Sequence, residues 1–261
     1  MVIQNYKIYS NKIPASFDKF KIAHISDLHN KKHGEGQYKL LDMLKSINPD
    51  IIVLTGDIIV NGNSLNSMDL LKKLPDSAPV LYVYGNHEAA VKNINEYEKI
   101  LNDSGIVLLN NSHKEICVNS EKILFLGIKD PAFGYPYGLS KQQAVKNYLV
   151  EVCGNLPENY IREDVFTVLL SHRPECMKIY SKFGIDLILS GHAHGGQFRF
   201  PFKNGFFAPG QGFFPKLAGG YFNNGSSEMI VSRGAGNGKP IPRICNPYEV
   251  VAVELNSAAK N

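Results

Sequence analysis

The sequence predicts a layered α/β protein, and three observations carry that expectation. Short apolar runs of strand length alternate with helical patterns through roughly the first two-thirds of the chain. Hydrophobic residues make up 44% of 261, enough apolar surface for a sizeable core between two sheets. No Pro/Ser-rich linker and no repeat interrupts the chain, so one domain spanning 1–261 is expected.

The elements follow in order. The run FKIAHISDLH (20–29) is apolar up to Asp27 and His29; His24, alternating with apolar neighbours, reads as a core histidine. In HNKKHGEGQ (29–37), Lys31, Lys32 and His33 read as a solvated loop, or as cations placed to meet an anionic substrate. A helical pattern at 37–47 leads to PDIIVLTGD (49–57), which ends at Asp57. A second helix at 66–74 precedes PVLYVYGNHE (79–88), which ends in Asn86, His87 and Glu88. Helices follow at 93–104 and 140–149, with His113 of NNSHKE read as a turn residue. The run VFTVLLSH (165–172) ends at His172, and a helix is expected at 173–180, where Arg173 carries the same ambiguity as the lysines. Last comes Ile185 to Ser190, a continuous apolar stretch that suits a strand covered on both faces. His192 and His194 follow on alternate positions of what reads as extended chain, and Gly191, Gly195 and Gly196 let the backbone turn sharply.

In open α/β sheets the ligand site lies outside the carboxyl ends of the strands. Five of the runs end in side chains that bind metals. Together they bring two aspartates, one asparagine and four histidines besides His87. Carboxylate plus imidazole suits Zn, Fe, Mn or similar divalent ions, and the lack of thiolates argues against a structural zinc site. Seven ligands are too many for one tetrahedral ion but suit two ions sharing a carboxylate. Asp57 is the natural bridge.

The motifs D-x-H (27–29), G-D (56–57), G-N-H-E (85–88), a lone His (172) and G-H-x-H (191–194), in that order, resemble those of the calcineurin-like metallophosphoesterases. The tail SRGAGNGKPIPRICNPYEVVAVEL (232–255) is similar to that of a bacterial subgroup related to the YkuE and YaeI phosphodiesterases. The resemblance implies a four-layer α-β-β-α sandwich with helices outside two mixed sheets. It also implies a first metal held by Asp27, His29, Asp57 and His194, and a second by Asp57, Asn86, His172 and His192. A water or hydroxide bridging the ions would be the nucleophile. His87 would stabilise the phosphoryl group and protonate the leaving oxygen, the alternative being a helix cap. Glu88 would orient that ring or sit at the surface as a helix-start carboxylate. The implied activity is hydrolysis of a phosphodiester or pyrophosphate bond, in a phospholipid or lipid-linked nucleotide. A non-catalytic scaffold of the same fold is a rival, although every ligand position is filled; a nuclease is another. The ligand types accept Mn, Fe, Zn, Ni or Co alike.

A net charge of +4, with no basic run longer than a Lys pair, is not the footprint of a dedicated nucleic-acid binder. Four scattered cysteines without a C-x-x-C read as reduced thiols. The first twenty residues contain no apolar run long enough for a signal peptide or membrane span, so a cytoplasmic or membrane-peripheral location is expected. Residues 197–247 read as a Gly/Phe-rich region of loops and hairpins beside the site, since 198–222 alone hold eight of the 14 phenylalanines. The Phe pairs at 206–207 and 213–214, with Lys203 and Lys216, either fill a satellite core or form an apolar lip for a lipid or membrane surface.

Overall fold

A computed structural model describes residues 1–60, 64–156, 165–199, 205–238 and 241–258. Its first half runs β1 (Val2–Ser10), β2 (Lys21–Ile25), α1 (Tyr38–Ile47), β3 (Ile51–Thr55), α2 (Leu65–Lys73), β4 (Val80–Val83), α3 (Ile94–Asp103) and β5 (Val107–Leu108). The second half runs β6 (Ser112–Val118), β7 (Glu121–Gly127), α4 (Lys141–Gly154), β8 (Thr167–Leu170), α5 (Met177–Tyr180), β9 (Leu187–Ser190), β10 (Phe207–Ala208), β11 (Gly212–Phe213), β12 (Gly220–Asn223), β13 (Glu228–Val231) and β14 (Glu249–Ser257).

Two six-stranded mixed sheets result, ordered β1-β14-β2-β3-β4-β5 and β12-β13-β9-β8-β7-β6. In the first, only the β14–β2 pairing is antiparallel; in the second, the antiparallel pairings are the two outer ones. The continuous apolar runs are explained by alternation. In β3, Ile51 and Val53 face the opposite sheet while Ile52 and Leu54 face the helices. Three apolar clusters therefore separate four layers. One lies between the first sheet and α1–α3, one between the sheets, and one between the second sheet and α4–α5. Phe17, Phe125 and Phe166 are buried in the middle cluster, each stabilising the fold by about 1.5–3 kcal/mol.

Some local expectations are corrected. His113 lies within β6 opposite Leu126, because the turn that precedes the strand falls at Asn111, in left-handed backbone. The expected helix at 173–180 shrinks to one α-turn between 3₁₀ turns at Pro174–Cys176 and Ser181–Phe183. Conversely, α4 runs on to Gly154 from a capping box in which Ser140 and Gln143 bond each other's backbone N–H. No described helix is long and apolar enough to cross a membrane.

Candidate metal centre

Strand register places the site. Ile25 pairs with Leu54, Thr55 with Val83 and Leu170 with Leu189, so strands of each sheet end nearly level. The residues just beyond those ends are Asp27, Asp57, Asn86, His172 and His192. The chain does not continue extended there, contrary to the reading of alternate positions. Asp27, His29, Asp57, His192 and His194 all have left-handed backbone, with φ between 49° and 66°. Each turns the chain back over its own strand end, a conformation that costs L-residues free energy and clusters at functional sites. Gly191 permits the close crossing of two such turns, since a Cβ there would collide with Ser26 and Asp27.

The side chains form two donor sets, Asp27, His29, Asp57 and His194 in one, and Asp57, His172 and His192 in the other. Within each, one ligand atom per residue lies inside 4.8 Å of the others. Asp57 Oδ2 stands 3.2 Å from His172 Nε2 and 3.6 Å from His29 Nε2, so one carboxylate faces both sets. Asp27 Oδ1 is 3.5 Å from His194 Nε2, and His192 Nδ1 is 3.0 Å from His172 Nε2. Asn86 Oδ1, from the same cavity wall, is buried without a hydrogen-bond partner. An orphaned carbonyl oxygen beside clustered imidazoles and carboxylates is what a divalent cation would satisfy, and the donor types fit one. His172 is already aimed for it, because its Nδ1–H donates to the Thr55 carbonyl at 2.7 Å and turns Nε2 inward.

The electrostatics agree. Burial pulls the pKa of His29 and of His194 down to about 4 against nearby carboxylates, and burial, with His172 and Arg173 beside it, holds His192 well below the usual imidazole range. Neutral imidazoles keep the lone pairs that metal ligation needs. His172 differs: burial would lower it, but Asp57, Asp27 and Asp130 outweigh that and push it up to about 10. Burial likewise opposes ionisation of Asp57, yet His172, His29 and His87 hold it well below the usual carboxylate range.

His87 stands on the open side. Its ring packs edge-on to His29 at 4.7 Å, its Nε2 lies 3.9 Å from Asp57 Oδ2, and its side chain is 40% exposed. It stands at the N-cap position of the 3₁₀ turn Glu88–Ala90, but its side chain makes no capping bond. A cavity of about 440 Å³ opens from Asp57, Asn86, His87, His192 and His194 onto Phe198, Phe206, Phe207, Phe213 and Ile241. The Gly/Phe-rich region thus supplies its far wall. Lys203, with the rest of 200–204 and 239–240, lies outside the described residues.

Several residues take places that the sequence reading missed. Glu88 is neither a surface carboxylate nor a partner of the His87 ring. It is fully buried and accepts from the backbone N–H groups of Asp57, Ile58, Ile59 and Gly85 and from the Tyr82 hydroxyl, tying the two donor loops together. Burial and neighbouring Asp57 push its pKa up to about 7 against the pull of those donors. Arg173, gripped by both oxygens of Asp130, donates to His192 Nε2 at 3.0 Å. Arg243 donates to His194 Nδ1 at 3.1 Å from a segment with no periodic signal. Lys31 and Lys32 are exposed as expected of a loop, whereas His33 is buried on the Ala235 carbonyl. His24 is a core histidine bonded to Thr55 Oγ1.

Comparison with known proteins agrees with this geometry. The chain is 28% identical over 264 residues to metallophosphoesterase YkuE of Bacillus subtilis (strain 168), covering 97% of this chain and 84% of that one. It is 27% identical over 248 residues to phosphodiesterase YaeI of Escherichia coli (strain K12), covering 90% and 82%. Among solved structures, the NAD nucleotidase NadN of Haemophilus influenzae superposes with a TM-score of 0.50 at 17% identity, a likeness of fold alone. That match covers 83% of this chain and 45% of NadN. The family model for calcineurin-like phosphoesterases matches residues 20–196, a stretch that contains every donor of the two sets and His87. This chain belongs to the calcineurin-like phosphoesterase family, and it is a phosphoester hydrolase.

Proposed function

We propose that the chain acts as one domain and hydrolyses a phosphodiester or pyrophosphate bond at two divalent ions. One ion is held by Asp27, His29, Asp57 and His194, and the other by Asp57, Asn86, His172 and His192. The observation that carries this reading is the single Asp57 carboxylate facing both donor sets, with His87 beside it on the open side. Bound there, the ions supply positive charge opposite the phosphoryl oxygens and activate water for attack.

The chain's own groups do the rest. Asp57 offsets charge in both sites at once. Glu88 fixes the spacing of the Asp57 and Asn86 loops through the four hydrogen bonds that its carboxylate accepts from backbone N–H groups. His87 hands a proton to the departing oxygen, and its exposed ring can reach a group entering from the cavity. The aromatic wall narrows the substrate class. Phe198, Phe206, Phe207 and Phe213 face the phosphoryl position across one cavity, which favours a phosphoester with an apolar group such as a phospholipid or lipid-linked nucleotide.

Hydrolysis of bis-(p-nitrophenyl) phosphate with added Mn²⁺ is the direct test, followed by monoester, lipid and nucleic-acid panels. Turnover that depends on His87 supports the proposal. A metal-loaded protein inert on every panel would make this a scaffold, and cleavage confined to DNA or RNA would make it a nuclease.

A further inference from the structure

We infer that the aromatic rim of the cavity docks on the surface of a lipid bilayer, with Phe213 and Phe214 entering it; the inference rests on the reading that the substrate carries an apolar group. Among the described phenylalanines only these two are exposed, at 65% and 62%. They are not loose. Phe213 pairs with Phe207 across the β10–β11 hairpin, and its ring lies 5.2 Å from that of Phe206. Phe214 packs at 5.6 Å from the same Phe206 ring, and its N–H donates to the Phe206 carbonyl. Two apolar rings are thus presented to water on a stiff aromatic base.

The backbone adds a second cost. Phe214 has a φ of 54°, a left-handed conformation that bulky side chains rarely adopt. Its ring is not among the groups lining the cavity and belongs to no apolar cluster of the fold. Its contact with the Phe206 ring leaves it 62% exposed, and an apolar phase outside the protein is what would cover the rest. Ile244, 52% exposed, bridges to Phe198 of the same aromatic wall.

Continuity selects the occupant. Apolar surface runs from the exposed Phe213 and Ile241 through Phe206, Phe207 and Phe198 to the histidines of the metal centre. A second copy of the chain seated on this rim would cover the mouth through which substrate must pass. A bilayer seated there supplies the substrate instead, with its apolar part already against the aromatic wall. Shallow insertion of aromatic side chains, without a spanning helix, is a sufficient mode of attachment.

The test is flotation with vesicles of phosphatidylcholine and of phosphatidylcholine with phosphatidylglycerol, using wild type and a Phe214→Asn/Ile244→Thr double variant. Asn tolerates the left-handed backbone and Thr the bridge, so the variant should keep the wild-type melting temperature. Wild type is expected to float with both vesicles, and the variant's binding constant to fall at least about tenfold. Its rate on soluble bis-(p-nitrophenyl) phosphate should be unchanged. Wild type that stays unbound, or a variant that floats equally well, overturns the inference. So does a wild-type dimer in solution that the substitutions dissolve. Vesicle binding without hydrolysis of any phosphoester would sink the catalytic reading while leaving the docking surface standing.

Discussion

The two walls of the cavity are made by different kinds of chain. The polar wall stands on the ends of central strands, where Asp57, Asn86, His172 and His192 follow β3, β4, β8 and β9 by a few residues. Its positions are fixed several times over, by register, by Glu88 and by the Thr55 carbonyl behind His172. The aromatic wall comes from loops, two-residue strands and ring-on-ring contacts. A reaction that tolerates little misplacement is built on sheets, and the facing wall is left to loops, whose side chains can change without moving the donors.

That contrast can be broken most directly at Asp57. Asp57→Asn removes the charge that both donor sets share, so metal content should fall at both sites together and turnover by more than about 10²-fold. Elemental analysis of the purified variant checks this, and full occupancy at wild-type rate would refute the shared carboxylate. His87→Ala should leave metal content unchanged while slowing turnover by about 10²–10⁴-fold, read from kcat on a soluble diester. A loss of metal instead would place His87 among the ligands.

Glu88→Gln tests the scaffolding behind the polar wall. An amide NH₂ would be set against backbone donors, which should lower stability by about 2–3 kcal/mol in chemical denaturation. An unchanged midpoint would mean that the loops hold each other without it. On the other wall, Phe207→Ala should raise KM for a long-chain phosphodiester by about tenfold and leave kcat on bis-(p-nitrophenyl) phosphate alone. Equal effects on both substrates would end the division of labour between the walls.

The same contrast sets what could be read from sequence. An apolar run closing on Asp, Asn or His is a local pattern, and parallel register turns it into proximity; the seven candidate donors and His87 were visible for that reason. Glu88 was not, because three of its partners are backbone N–H groups some thirty residues away in the chain, and amides carry no residue signature. Arg243 reaches His194 from 49 residues away in the chain, out of a stretch without period. His33 looked solvated among lysines, but the loop folds inward onto Ala235. The pleat of the histidine pair was misjudged for a different cause: left-handed backbone at His192 and His194 replaces the extended geometry that alternation assumes.

One feature of topology reaches beyond the folded state. β14, near the end of the described chain, lies between β1 and β2, and among the described residues β1 pairs with no other strand. During synthesis the first nine-residue strand must therefore wait, unpaired, until residues 249–257 have left the ribosome. Until then β2, which leads into Asp27 and His29, has an open edge. A strand made later than all the others closes the sheet, so a nascent chain halted before it would expose two strand edges to its neighbours.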